Sequence, residues 1–209
     1  MIIGCLYAMV ACVRQPALPK PEVPQSSHWA KAELMTGAAT ELLASNCFGC
    51  HGPQGRSMAP AIPSLAGLSE RYFIDVMQAY QYGGRFGTVM GRIALAYEDA
   101  EIRRMAGYFT AQTSRQQIPT VDSNQSFHGR RLHQQFCRDC HGDLNSPAKP
   151  DAVTLHGQSQ SYLRWTLQDY LIGINQTSSG MSKALSQLMR QQGKSGLETL
   201  LDFYARSRP

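Results

Sequence analysis

The stretch Cys47-Phe48-Gly49-Cys50-His51 recurs as Cys137-Arg138-Asp139-Cys140-His141. Two cysteines, two spacers and an adjoining histidine suit three chemistries: a zinc site, a redox disulfide, or a covalent tether for haem. The histidine separates them. When both thiols add to the vinyl groups of a haem, the next residue falls over the ring centre and ligates the iron. A zinc ion would need two more Cys or His ligands per site. The remaining histidines, His28, His128, His133 and His156, do not recur at matching positions in both halves. A thioredoxin-like pair expects a βαβ setting, and strand alternation is nearly absent. The pattern therefore predicts two covalently bound haems c, with Cys47, Cys50, Cys137 and Cys140 as attachment points and His51 and His141 as iron ligands.

The motif comes twice because the chain is a repeat with an offset near 90 residues. Leu65-Ala66-Gly67 matches Leu155-His156-Gly157, Tyr72 matches Tyr162, and Gln78 and Tyr80 match Gln168 and Tyr170. Gly83 matches Gly173, and Met90 matches Met181 with one residue inserted. Each half reads as helices: one leading into the motif, one after Ser69 or Ser159 as N-cap and stopped near Gly83 or Gly173, and one at the end. The fold class expected is all-α, two tandem haem domains at 28–115 and 126–209 joined by a polar linker at 116–125. A half of about 90 residues is small for a self-sufficient core, and a covalent haem would supply the missing apolar mass.

The chain has 209 residues, of which 43% are hydrophobic, and a formal net charge of +5. No Arg/Lys stripe with interleaved aromatics is present, which argues against nucleic acid. The opening "MIIGCLYAMVAC" is apolar, uncharged and too short to span a bilayer. It resembles the end of an export signal, and Met9-Val10-Ala11-Cys12 resembles a bacterial lipobox whose cysteine, Cys12, is lipidated. Pro16 to Gln25 holds four prolines and reads as an extended spacer. Residues 1–27 are thus read as signal and spacer, and the folded body as periplasmic, with a lipid anchor at Cys12.

A thioether opposite histidine raises the potential of a haem and closes the iron to substrates. Met90 and Met181 each follow their motif histidine by about 40 residues and sit in a loop-like stretch after the middle helix. That distance lets a helix cross and the chain return over the far face of the haem. Met189, in the apparent helix "SKALSQLMRQQG", is the runner-up in the second half, and His156 an outside alternative. Met77 has core spacing, and Met58 and Met105 read as packing residues.

These residues together resemble the dihaem class I cytochromes c: the cytochrome c4 type and, more closely in "VMGRIALAYEDAEIRRMAGYFTAQT" and "MSKALSQLMRQQGKSGLETLLDFYA", the dihaem cytochrome subunit of flavocytochrome c sulfide dehydrogenase. The resemblance implies axial ligands at His51, Met90, His141 and Met181. It also implies a carbonyl twelve residues after the proximal histidine that holds its ring. Pro63 stands there in the first half and Val153 in the second. It further implies an FAD-binding sulfide dehydrogenase subunit as electron donor, a soluble cytochrome or similar acceptor, and no chemistry on sulfide by the cytochrome itself. The alternative is a stand-alone carrier of the cytochrome c4 type feeding a terminal oxidase.

Overall fold

The computed structural model describes residues 40–112, 123–143, 149, 152–153 and 155–206. The segment with Cys12, the proline spacer and most of the stretch read as linker lie outside these residues. In the first half the order is α1 (Thr40–Ser45), α2 (Phe48–His51), a 3-10 turn (Pro53–Gly55), α3 (Glu70–Gln81), α4 (Met90–Ala94) and α5 (Asp99–Thr110). In the second it is α6 (Ser123–Phe136), α7 (Arg138–His141), α8 (Gln160–Leu171) and α9 (Ser179–Arg206). No strand occurs among the described residues.

Local chemistry accounts for the helix ends. The Ser69 hydroxyl accepts from the Tyr72 N–H at 3.2 Å and opens α3, and Ser159 accepts from Tyr162 at 3.4 Å and opens α8. Glu98 and Glu101 form a reciprocal capping box at the head of α5. α3 and α8 stop one residue short of their caps Tyr82 and Ile172, just before Gly83 and Gly173 at φ 73° and 76°. Two methionines depart from expectation. Met90 is the first residue of the short helix α4, and Met181 lies in the first turn of α9, where its N–H is held by Ser178 Oγ at 3.2 Å. α9 is broken at Gly193, whose φ of 61° only glycine adopts readily, so residues 179–192 and 194–206 are two helices in series.

Each half has its own core. In α5, Ile102, Met105, Ala106 and Phe109 repeat at helical spacing and are fully buried against Leu43, Ala44, Phe73 and Met77. In α9, Leu197, Leu200, Leu201 and Tyr204 form the matching stripe, packed on Leu132, Leu155, Leu163 and Leu167. α9 lies close on α6: a Cβ at Gly129 would meet Phe203 Cβ at 2.4 Å. Leu42 and Leu132 share a place in the repeat, yet Leu132 is buried and Leu42 is exposed. Leu43 and Ala44 are the residues of α1 that face the first core.

The duplication is visible in backbone bonds as well. Gly67 N–H donates to Phe109 O at 2.9 Å, and Gly157 N–H donates to Tyr204 O at 3.0 Å. Each ties the loop after the motif to the last helix of its own half.

Candidate functional site

Both motifs sit on one tight turn. His51 N–H donates to Cys47 O at 2.8 Å and Cys50 N–H to the same oxygen at 3.3 Å. His141 and Cys140 repeat this on Cys137 O at 3.0 and 3.3 Å. Two cysteines and a histidine on a single turn present their side chains to one side. The four thiols are free cysteines. Burial pushes Cys47 and Cys137 up to about 11. A zinc site needs thiolates, which this setting disfavours, and the described residues hold no cluster of three or more metal-binding side chains.

The histidines are held from behind. His51 Nδ1–H donates to Pro63 O at 2.8 Å, and His141 Nδ1–H donates to Val153 O at 2.7 Å. A carbonyl only accepts, so the proton is on Nδ1 and the Nε2 lone pair is left for a metal. The bond uses backbone, which is why valine serves as well as proline. Burial lowers both imidazoles below their ordinary range, against the opposing pull of these carbonyls, and keeps them neutral.

In the second half an apolar crevice brings Cys137, His141 and Met181 together, walled by Leu163, Leu167 and Leu188. Met189 packs on the same core but is not among the residues lining that crevice. In the first half Met90 and Cys47 pack against one core cluster. Met77 and Met105 are buried packing residues, as their spacing suggests. Met58 is not: it is 94% exposed, because the Gly/Pro-rich loop that carries it turns it outward.

The seam between the halves holds a residue that sequence reading passed over. Burial raises the hydroxyl of Tyr72 well above the usual phenol range and raises those of Tyr80 and Tyr170 too, and these act with Tyr162 on Arg85. The Arg85 guanidinium carbon lies 5.4 Å from the Tyr80 ring centre. Neutral phenols give dipoles but no counter-charge, and after burial the leading influences on Arg85 are the four tyrosines. Its buried Nε has no partner among the described residues. A buried cation is stable only when paired. The repeat places Asn175 where the second half would carry the same arginine, and Asn175 Oδ1 instead accepts Phe86 N–H at 2.7 Å across the seam. Ser64 and Gln158 exchange two further bonds there, at 3.0 and 2.8 Å. The legible signal was the recurrence of two tyrosines at the same register in both halves; that they converge on one arginine was not.

The residues present fit haem c. Each half offers paired thiols, a neutral imidazole with a free Nε2 and a methionine, and the second opens an apolar crevice. The seam offers a guanidinium that lacks the carboxylates a haem carries.

Comparison with known proteins agrees. The Cytochrome c family model matches residues 37–113. The chain is 32% identical over 159 residues to cytochrome c4 of Azotobacter vinelandii, covering 65% of this chain and 72% of that protein. It is 40% identical over 75 residues to the cytochrome subunit of sulfide dehydrogenase of Chlorobaculum tepidum, covering 36% of this chain and 67% of that one. The crystal structure of reduced cytochrome c4 from Pseudomonas stutzeri superposes with a TM-score of 0.67 over 82% of this chain and all of that one, at 21% identity, and shares its fold.

Proposed function

The chain belongs to the cytochrome c family, in its dihaem cytochrome c4 branch, and from that premise we propose that it relays electrons from a sulfide-oxidising flavoprotein to a periplasmic acceptor. Haem c supplies, when bound, an iron that takes up and gives back one electron. The chain's own residues do the rest. Cys47 with Cys50, and Cys137 with Cys140, hold the two groups in place. The carbonyls of Pro63 and Val153 fix the rings of His51 and His141 and raise their basicity. Met90 and Met181 would supply the sulfur ligands that keep either iron closed to substrate. The leucine walls would exclude water, and Arg85 with its tyrosines would bind the carboxylates that a haem carries.

The observation that carries this reading is the pair of carbonyl-anchored histidines, each on the turn that presents two thiols. The relative named as a cytochrome subunit of sulfide dehydrogenase supports this donor: an FAD-binding subunit would oxidise sulfide and pass electrons singly to this chain, which would hand them to a soluble cytochrome. A second reading is favoured by the match to Azotobacter cytochrome c4, which is longer. There the chain is a free carrier feeding a terminal oxidase. The lipobox-like sequence at Cys12 supports an exported protein held at the periplasmic face of a membrane under either reading; among the described residues no helix is long and apolar enough to cross one.

Purification of the natively expressed protein in mild detergent, followed by a flavin spectrum, tests the donor. Stoichiometric flavin with sulfide-dependent haem reduction supports the dehydrogenase partner. A flavin-free dihaem protein that sulfide leaves oxidised supports the free carrier.

A further inference from the structure

His133 and His156 are 1% and 4% exposed and stand with ring centres 5.2 Å apart. They share the space behind Cys137 with Phe203 and the fully buried Tyr204. His133 is fully engaged. Its Nε2–H donates to Gly142 O at 2.7 Å, and its Nδ1 accepts from the Tyr204 hydroxyl at 3.0 Å. His156 is the opposite case: neither ring nitrogen has a hydrogen-bond partner among the described residues. Burying an imidazole without partners costs free energy, and nothing in the haem chemistry derived above requires it. At the repeat positions the first half carries Leu43 and Ala66, which cost nothing of the kind.

The cluster also has a way out. The Asp143 carboxylate lies 3.6 Å from His133 Nε2, with its side chain 44% exposed. The groups facing the pair are Arg130 from α6, Arg138 and His141 from α7, Asp143 beyond it, and Cys137 and Tyr204. Two of these, Cys137 and Tyr204, also line the crevice with His141 and Met181. A base held in a low-dielectric interior beside a centre that changes charge by one must respond to that change.

We propose that the buried His133–His156–Tyr204 cluster is a proton-binding site that ties reduction of the C-terminal haem to uptake of one proton, and that the N-terminal half has no such site. The inference rests on the presence of a haem in the second half. The electron comes from the donor and takes the iron from ferric to ferrous. The proton comes from solvent past Asp143 and settles on a ring nitrogen of His156, the open acceptor. Burial, the nearby His133 and Arg130 hold His156 down to about 4, so the coupling lies in mildly acid solution. Loss of one positive charge at the iron raises that value, and protonation then makes reduction easier.

The test is a spectroscopic redox titration of the holoprotein from pH 4 to 8, after a haem assay has shown two haems per chain, so that failure of haem binding is recognised before the titration. One midpoint potential should rise as pH falls through mildly acid solution toward about 4, the value burial gives His156, with a slope of at most about 59 mV per pH unit, the tenfold equivalent for one electron. The other should stay flat there. His156→Gln and His133→Leu, the second restoring the residue of the first half, should flatten the responsive haem without changing the other. Loss of the slope in either variant supports the site and tells which ring holds the proton. Two flat potentials in the wild type, or a slope that survives in both variants, overturns it.

Discussion

Leu43, Ala66 and Phe109 in the first half stand where the second half carries His133, His156 and Tyr204. Both sets are buried, between 0% and 5% exposed. The backbone around them is the same, down to the paired bonds from Gly67 to Phe109 and from Gly157 to Tyr204. A duplicated frame thus accepts two kinds of lining. The apolar one is stable under any condition that keeps water out. The polar one depends on hydrogen bonds and on the protonation of its imidazoles. The seam repeats the lesson: Arg85 in the first half asks for a carboxylate partner, while Asn175 in the second is satisfied by neighbouring amide and carboxylate groups, Phe86 N–H at 2.7 Å and Asp169 Oδ2 at 3.3 Å.

The largest expected effect comes from removing an attachment site. Cys47→Ser with Cys50→Ser should lower haem content from two per chain to one and abolish the cooperative melt of the first half, while the second half still melts cooperatively in circular dichroism. Retention of both transitions would show that the halves do not depend on haem for their cores. Removing Arg85 should follow in size. Arg85→Gln would deprive a bound haem's carboxylates of the guanidinium proposed for them, an expected loss of about 3–5 kcal/mol in denaturant unfolding of the holoprotein. Asn175→Ala should cost about 1–3 kcal/mol, by orphaning the Phe86 N–H. Equal losses would erase the asymmetry of the seam.

Acid should separate the halves next. His156 holds a value of about 4 when folded against an ordinary 6.5. The unfolded chain therefore takes the proton first as pH falls. Stability of the second half is complete above about 6.5, declines through the interval below it, and levels off near 4, by about 3 kcal/mol in all. Burial lowers His133 as well and adds to the decline. Denaturant midpoints of the second half measured across this range should fall with pH, and those of His156→Ala should fall much less. The ligand assignment gives a spectral contrast: Met181→Ala should admit carbon monoxide to one ferrous haem, and Met189→Ala should admit it to neither. Least of all, Arg164→Ala should cost no more than about 1 kcal/mol, since its pair with Glu198 lies at the surface.

The sequence carried the fold through its spacing. The repeat offset, the serine caps at Ser69 and Ser159, and the stop glycines each have a local cause, and each is found in place. The two histidines and four cysteines were legible for the same reason, since in each half two cysteines and a histidine fall within five successive residues on one turn. The partner carbonyl in the second half was also within reach, because a backbone bond does not depend on the side chain of Val153. What escaped depends on distance in the chain. Arg85 gains its meaning from tyrosines 77 and 85 residues away in the other half, and His133 from a hydroxyl 71 residues away. Met90 read as loop because the turn of α4 is only five residues long, too short to show a periodicity. Met58 read as packing because composition says nothing about which way a loop residue faces.

The central claim is a haem in each half held by one histidine and one methionine. Visible and magnetic circular dichroism spectra of the purified holoprotein, with a haem assay, test it most directly. The account predicts two haems c per chain and the signature of methionine sulfur on ferric iron at both, with half of that signature lost in Met90→Ala and half in Met181→Ala. One haem per chain, or a signature left undiminished in either variant, would contradict it.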